Sequence, residues 1–310
     1  MQQILNDHKL VLMEAAIVEL LRRSGEVELH PRLVNAPLIY EATGREALRR
    51  IYQSYINIAQ QAQVPFLMCT PTWRTNLARV EETKIRSSIN RDAVHFLQEI
   101  RASGGNDPEN IKIGGLIGCK NDCYQPREAL SAQEAEQFHA WQISQLKQGG
   151  VDFIIAETLP SVEEAIGIAR AIERSGLPYF ISFVISRDGH VLDGSDLSTA
   201  IKRVDASTKR QALGFMVNCA YPSFLCAASQ PSAVFQRLVG YLANASSKDH
   251  CDLDGAQELL METVSDWGDI MLDLNRNYGV KVLGGCCGTN EQHLNYVVDG
   301  VQRSIHANHT

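Results

Sequence analysis

Residues 149–164 read Gly-Gly-Val-Asp-Phe-Ile-Ile-Ala-Glu-Thr-Leu-Pro-Ser-Val-Glu-Glu and contain the signals of one complete strand-to-helix unit. The glycine pair is typical of a helix end, because glycine takes the left-handed conformation that closes a helix. The apolar run at 152–156 has the length of a buried parallel strand. Ser161 and Glu164 match a capping box, in which two side chains satisfy the free amides of a helix start. The stretch therefore predicts a strand followed by a helix.

The same pattern recurs along the whole chain. Short apolar runs alternate with longer amphipathic stretches, at 10–12, 65–68, 111–117, 152–156, 179–184, 213–217, 238–242 and 280–283. Further helix signals are the capping boxes Thr43/Glu46, Ser131/Glu134 and Thr289/Gln292, and the glycines Gly176 and Gly279. Eight strand–helix units in 310 residues predict an α/β fold, a (β/α)8 TIM barrel forming a single domain over residues 1–310. A doubly wound open sheet is the competing interpretation, but it usually needs fewer strands.

Composition and charge exclude several classes of function. The net charge of −7, without a long basic stretch, argues against a nucleic-acid partner. No apolar run approaches the ~20 residues of a membrane span, and the polar N-terminus lacks the core of a signal peptide. We therefore expect a soluble cytoplasmic protein. In such a reducing compartment the eight cysteines are expected to be thiols or metal ligands rather than disulfides.

Three cysteines follow predicted strands. Asn218 and Cys219 directly follow the run at 213–217. Cys286 and Cys287 are adjacent in a glycine-flanked turn after the run at 280–283. Adjacent cysteines are hard to join to each other, but they readily bind one soft metal ion as two thiolates. The carboxyl ends of barrel strands meet at one face, so the three thiolates predict a Zn²⁺ site with an open fourth position. Buried inert cysteines and a redox pair remain the alternatives.

Three motifs resemble those of a known family in order and spacing: Asn218-Cys219, Glu157-Thr158-Leu159-Pro160 and Gly284-Gly285-Cys286-Cys287-Gly288-Thr289. They are similar to the motifs of the zinc-dependent homocysteine S-methyltransferases, a likeness that spans nearly the whole chain. The resemblance implies a (β/α)8 barrel with zinc on Cys219, Cys286 and Cys287. It also implies that the sulfur of homocysteine takes the open position and attacks a methyl group on a cationic donor.

The resemblance also implies candidate substrate residues. Glu157 would bind the amino group of the acceptor, a role that suits a carboxylate at a strand end. Trp73, in the Thr70-Pro71-Thr72-Trp73 stretch after the second strand, offers an aromatic face to a cationic methyl donor. Thr72 and Asn244 complete the expected substrate-binding residues, although Asn244 suits a turn equally well.

The chain departs from the family pattern at its first strand. Glu14 and Ala15 stand where family members typically have Asp-Gly, which must change the floor of the acceptor pocket. Glu14 joins Glu157 as a candidate catalytic residue. The loop after the third strand is also unusual, since its Cys119 and Cys123 are either extra ligands or ordinary thiols.

The leading hypothesis is a zinc-dependent methyltransferase. Its partners would be small molecules: a sulfonium methyl donor, most simply S-methylmethionine, and homocysteine, whose methylation gives methionine. Betaine is a less favoured donor. The altered first strand motivates two alternatives, a methyltransferase for another thiol or selenol and a non-catalytic protein that binds a thiol.

Overall fold

A computed structural model describes residues 1–104, 108–249 and 261–307. Eight parallel strands form one closed barrel, in chain order, with β8 paired to β1. The strands are β1 Val11–Met13, β2 Phe66–Cys69, β3 Ile111–Gly118, β4 Phe153–Leu159, β5 Tyr179–Phe183, β6 Gly214–Asn218, β7 Leu238–Ala243 and β8 Val282–Gly285. Every predicted apolar run overlaps its strand, and the predicted single-domain TIM barrel is confirmed. The open-sheet alternative is wrong.

Helices surround the barrel. Those in the described ranges are α1 Gln2–Asp7, α2 Val18–Ser24, α3 Ala42–Gln61, α4 Leu77–Glu81, α5 Ile89–Ser103, α6 Ala132–Gly149, α7 Val162–Ser175, α8 Leu197–Ala206, α9 Ser232–Phe235, α10 Val264–Tyr278 and α11 Glu291–Ala307. Short 3-10 helices occupy Ala36–Tyr40, Pro108–Asn110, Pro126–Glu128, Pro222–Leu225 and Ala227–Ser229. Among the helices described, none is long and apolar enough to cross a bilayer.

The predicted helix signals have mixed outcomes. The capping box of Ser131 and Glu134 is complete at the start of α6. Ser161 caps α7 through the amide of Glu163, while Glu164 bonds elsewhere. The box at Thr43 is wrong, because α3 begins at Ala42 without a side-chain cap. The box at Thr289 is also wrong, because its hydroxyl bonds the Cys286 carbonyl.

Glycines end three of the helices as predicted. Gly150, Gly176 and Gly279 follow α6, α7 and α10 with φ angles of 88°, 82° and 72°. A side chain with a Cβ takes this left-handed conformation only at a steric cost.

The barrel interior is a separate apolar cluster that becomes polar toward the carboxyl ends of the strands. It contains Val11, Met13, Leu67, Cys69, Phe153, Ile155, Phe180, Met216, Leu242 and Val282. Because side chains alternate along a strand, the next inward positions after Ile155 and Met216 are Glu157 and Asn218. A polar layer therefore closes the carboxyl-terminal mouth, where TIM barrels place their chemistry.

A buried carboxyl–imidazole hydrogen bond braces the loop that follows β3. Glu164 on α7 lies 3.0 Å from the imidazole Nε2 of His139 on α6, and both side chains are fully buried. The same carboxylate accepts hydrogen bonds from the amides of Lys120 (2.8 Å) and Leu130 (3.4 Å) at the two ends of the loop. Glu164 thus joins two helices to the rim of the barrel.

Replacing Glu164 with alanine is expected to destabilise the protein by about 3–5 kcal/mol, because it strands buried polar partners. Urea unfolding measures the loss. The neighbouring Glu163 is the matched control, since it is exposed and pairs with Arg203 at the surface. Glu163→Ala should cost under about 1 kcal/mol. Equal losses for the two variants would contradict this role of Glu164.

Candidate metal centre and active site

Three thiols converge at the mouth of the barrel. Cys219 comes directly after β6, and Cys286 and Cys287 come directly after β8. Their sulfur atoms all lie within 4.8 Å of one another. The Sγ atoms of Cys219 and Cys286 are 2.7 Å apart, and those of Cys286 and Cys287 are 4.0 Å apart. A disulfide bond is about 2.05 Å long, so the three side chains are free thiols.

The donor set fits a zinc ion. Two sulfurs bound to one tetrahedral zinc at about 2.3 Å lie about 3.8 Å apart, which falls between the two sulfur separations just given. The Cys219–Cys286 separation of 2.7 Å is shorter than that of two zinc ligands, whereas the Cys286–Cys287 separation of 4.0 Å is close to it. Cys219 and Cys286 are half-buried while Cys287 is exposed, so solvent reaches one side of the cluster. Three soft ligands with an accessible side are the arrangement of a metal site that keeps an open position.

The cluster favours a thiolate. The pKa of Cys287 lies well below its usual range, because the thiols of Cys219 and Cys286 donate hydrogen bonds to its sulfur. Hydrogen bonds with Cys219 and with Cys287, together with burial, raise the pKa of Cys286. A lowered pKa favours a negative charge on the Cys287 sulfur, which would attract a cation to the three sulfurs.

Asn218 fixes the first ligand. Its amide nitrogen donates to the Thr158 hydroxyl at 2.7 Å and to the Cys219 sulfur at 3.3 Å. Its carbonyl oxygen accepts from the Thr158 amide at 2.8 Å and from the Ser182 hydroxyl at 2.7 Å. Thr158 and Cys219 have φ angles of 58° and 55°, a left-handed conformation that is strained for side chains with a Cβ. Asn218 holds both strained residues in place.

The loop with the other two ligands is held from three sides. The Cys286 amide donates to the Ala243 carbonyl at 2.7 Å, and the Cys287 amide donates to the Asn244 side chain at 3.1 Å. The Gly288 amide donates to the carboxylate of Glu19. At Gly285 a Cβ would lie 2.1 Å from the Thr289 hydroxyl, so only glycine fits there. Asn244 therefore positions the cysteine loop in this structure.

The two acidic residues lie in the same mouth. Glu157 points inward from β4, and its Oε1 is buried with no hydrogen-bond partner in the described part of the chain. Burial raises its pKa to about 8. Glu14 follows β1 and accepts a 2.8 Å hydrogen bond from the Cys69 amide. Burial raises the pKa of Glu14, the Cys69 bond opposes that rise and the charge of Glu157 adds to it.

The side chains of the residues after β2 already make contacts within the protein. The hydroxyl of Thr72 donates to the Leu116 carbonyl at 2.7 Å and also contacts the Thr70 hydroxyl, and the side chain is fully buried. The Arg74 guanidinium lies 3.9 Å from the centre of the Trp73 ring. Arg74 also donates to the Asn121 carbonyl at 2.6 Å. One face of Trp73 therefore already carries a cation of the protein itself.

The loop after β3 supplies no further ligand. Among the described residues, the cluster of potential ligands holds the three cysteines alone. Cys119 donates to the Asn121 carbonyl at 3.4 Å, and both Cys119 and Cys123 are buried. Burial raises the pKa of Tyr124, and the charges of the nearby Cys219 and Cys287 sulfurs raise it further.

Sequence reasoning gave no role to three residues of this mouth: Asn218, Glu19 and Arg74. Asn218 carried a signal, because it follows inward-facing Met216 by two residues and directly precedes Cys219. Glu19 and Arg74 carried none, because their partners lie more than forty residues away in sequence.

Comparison with known proteins now assigns the family. The family model described as homocysteine S-methyltransferase matches residues 11–301. The chain belongs to the homocysteine S-methyltransferase family of enzymes. It is 22% identical to homocysteine S-methyltransferase YbgG of Bacillus subtilis, covering 94% of this chain and 95% of that protein.

Two further relatives are informative. Selenocysteine Se-methyltransferase of Brassica oleracea is 27% identical over 174 residues, covering 52% of this chain and 47% of that protein. The metallated crystal structure of the homocysteine methyltransferase MmuM from Escherichia coli superposes with a TM-score of 0.72 at 18% identity. That alignment covers 96% of this chain and 98% of MmuM, and it shows a shared barrel fold.

Proposed function

We propose that this enzyme is zinc-dependent and transfers a methyl group from a small sulfonium donor, S-methylmethionine, to the thiol of homocysteine, giving methionine. One observation carries the proposal. Three sulfurs within 4.8 Å share the barrel mouth with a buried carboxyl that lacks a partner. A thiol-activating metal and an ammonium-binding acid are the two parts that methylation of an amino-acid thiol needs.

Cys219, Cys286 and Cys287 are the proposed ligands. A zinc ion held there supplies Lewis acidity, which ionises an incoming thiol at neutral pH. Asn218 fixes the direction of the Cys219 sulfur, and the side chains of Asn244 and Glu19 fix the loop that carries the other two. Partners of this kind typically set metal affinity or activity by 10–100-fold.

Glu157 is the proposed acceptor-binding residue. It lies one residue before Thr158, whose hydroxyl is 3.9 Å from the Cys219 sulfur. Homocysteine carries its thiol at one end and its amino and carboxylate groups at the other, so a thiol held at the sulfurs leaves the amino group free to meet Glu157. An arriving ammonium would give Glu157 the ionic hydrogen bond that it lacks.

The donor is proposed from the charges at the rim. Arg74 lies over Trp73, so a second cation is disfavoured on that face of the ring. A sulfonium that also carries a carboxylate suits this mixed environment, because the carboxylate is attracted to the Arg74 charge. S-methylmethionine has both groups.

A selenol acceptor is the second candidate. Glu14 replaces a shorter acid and reaches the Cys69 amide, which reshapes the acceptor floor. The likeness to selenocysteine Se-methyltransferase supports the same alternative.

The zinc-loaded protein is expected to form methionine from S-methylmethionine and homocysteine, with a kcat/KM at least about tenfold above that with betaine or with selenocysteine. Mass spectrometry of the products measures each pair. Turnover with selenocysteine and none with homocysteine would replace the leading proposal by the selenol alternative.

A further inference from the structure

Two buried polar atoms at the mouth of the barrel lack partners. They are the indole nitrogen Nε1 of Trp73 and the carboxyl oxygen Oε1 of Glu157, neither of which has a hydrogen bond within the described ranges. Buried polar groups are nearly always paired in native proteins, so an unpaired one calls for an explanation. Here one atom is a donor and the other an acceptor.

The two atoms line the same side of the barrel. Gly118, the last residue of β3, is in register with Glu157 on β4. Residues paired on neighbouring strands project to the same face of a sheet. A Cβ on Gly118 would come within 2.5 Å of the Trp73 Nε1 atom. The Trp73 N–H therefore fills the space that a side chain of Gly118 would occupy, next to the side chain of Glu157.

The surroundings favour an anion at the Trp73 N–H. Arg74 lies over the indole ring at 3.9 Å, and its positive charge attracts an anion to this edge of the mouth. Thr72 and Asn218, two other polar groups of the mouth, are engaged in internal hydrogen bonds. An unpaired N–H donor thus adjoins an unpaired carboxyl, which matches the carboxylate and ammonium of one α-amino acid.

We propose that the indole N–H of Trp73 binds the carboxylate of the acceptor amino acid while Glu157 binds its ammonium. This inference rests on the proposed function and adds a determinant of specificity to it. The pair would select free α-amino acids that carry a thiol, and it would reject thiols that lack the carboxylate.

The test measures binding to the zinc-loaded protein by isothermal titration, with homocysteine and with 3-aminopropanethiol, which is homocysteine without its carboxylate. In Trp73→Phe the Kd for homocysteine should rise about 10- to 100-fold, the value of one hydrogen bond to a charged group. The Kd for 3-aminopropanethiol should stay within about twofold. Trp141→Phe, on α6 and only partly buried, is the matched control and should change neither Kd.

Three results would overturn the inference: an unchanged homocysteine Kd in Trp73→Phe, an equal loss for both ligands, or equal affinity of the wild-type protein for both. The last needs no variant, so a poorly folded Trp73→Phe protein leaves the test intact. Methyl transfer by the wild-type protein is scored separately. If the protein transfers the methyl group but Trp73→Phe leaves the Kd for homocysteine unchanged, only this inference is wrong. If the Kd depends on Trp73 but no methyl transfer occurs, only the proposed function is wrong.

Discussion

Replacing Cys287 with alanine is expected to remove bound zinc and to slow methyl transfer at least about 1,000-fold, because a metal contributes several kcal/mol to the transition state. Cys287 is the exposed member of the trio, and hydrogen bonds from Cys219 and Cys286 lower its pKa. Its loss leaves two thiols, which are half-buried and favour the neutral form. Metal analysis and single-turnover methyl transfer are the two measurements.

Cys226→Ala is the matched control for this prediction. Cys226 is also a free thiol, although half-buried where Cys287 is exposed, and its sulfur donates to the Arg187 carbonyl and lies outside the cluster. This variant should keep its zinc and its rate. Full activity in a Cys287→Ala protein that holds no zinc would refute the proposed mechanism.

Replacing Glu157 with glutamine is expected to weaken the binding of homocysteine about 100-fold and, at pH 9, to stabilise the fold. The first effect follows from loss of the charge that pairs with the ammonium. The second follows because Glu157 is buried without a partner, so its ionisation opposes folding. Titration calorimetry and urea unfolding measure the two effects, with exposed Glu163→Gln as the control.

The direction of the pH effect follows from the raised pKa. The folded protein releases the Glu157 proton at about pH 8, whereas the ordinary value is 4.5. Between these limits only the folded state holds the proton, so stability falls as the pH rises toward 8 and is constant above it. Because the Glu157 side chain is partly exposed, Glu157→Gln should raise the free energy of unfolding by about 2 kcal/mol at pH 9 and leave it unchanged at pH 4.

Homocysteine binding should show the opposite trend. Only ionised Glu157 attracts the ammonium, so this residue should lower the affinity of the wild-type protein about tenfold for each pH unit below 8, in addition to the slope from ionisation of the homocysteine thiol. Glu157→Gln should keep the thiol slope and lose the Glu157 contribution. An equal slope in wild type and Glu157→Gln between pH 6 and 8 would exclude Glu157 as the ammonium site.

The sequence was sufficient to predict the architecture and the convergence of the three cysteines. Parallel strands buried on both faces appear as continuous apolar runs, and each run overlapped its strand. Because carboxyl ends of strands meet at one face, Cys219 and the pair Cys286 and Cys287 could be expected to converge from their positions alone.

The remainder of the site depends on contacts that no local pattern carries. Glu14 bonds the Cys69 amide and Thr72 bonds the Leu116 carbonyl, across 55 and 44 residues. Arg74 covers one face of Trp73, although the aromatic residue alone suggests an open face for a cation. Whether a buried polar atom at the mouth has a hydrogen-bond partner, the property on which the roles of Glu157 and the Trp73 N–H rest, is known only from the packed barrel.

Two of the three cysteines follow β8, the strand that closes the barrel against β1. Strand β8 meets β1 through Val11 with Val282 and Leu12 with Leu283, and its other neighbour is β7. A metal ion held by Cys219, Cys286 and Cys287 would link β6 to β8 across β7. Ligands that bind only the folded chain stabilise it by mass action, so metal binding and closure of the barrel would stabilise each other. Metal depletion is then expected to loosen the barrel first between β6 and β8.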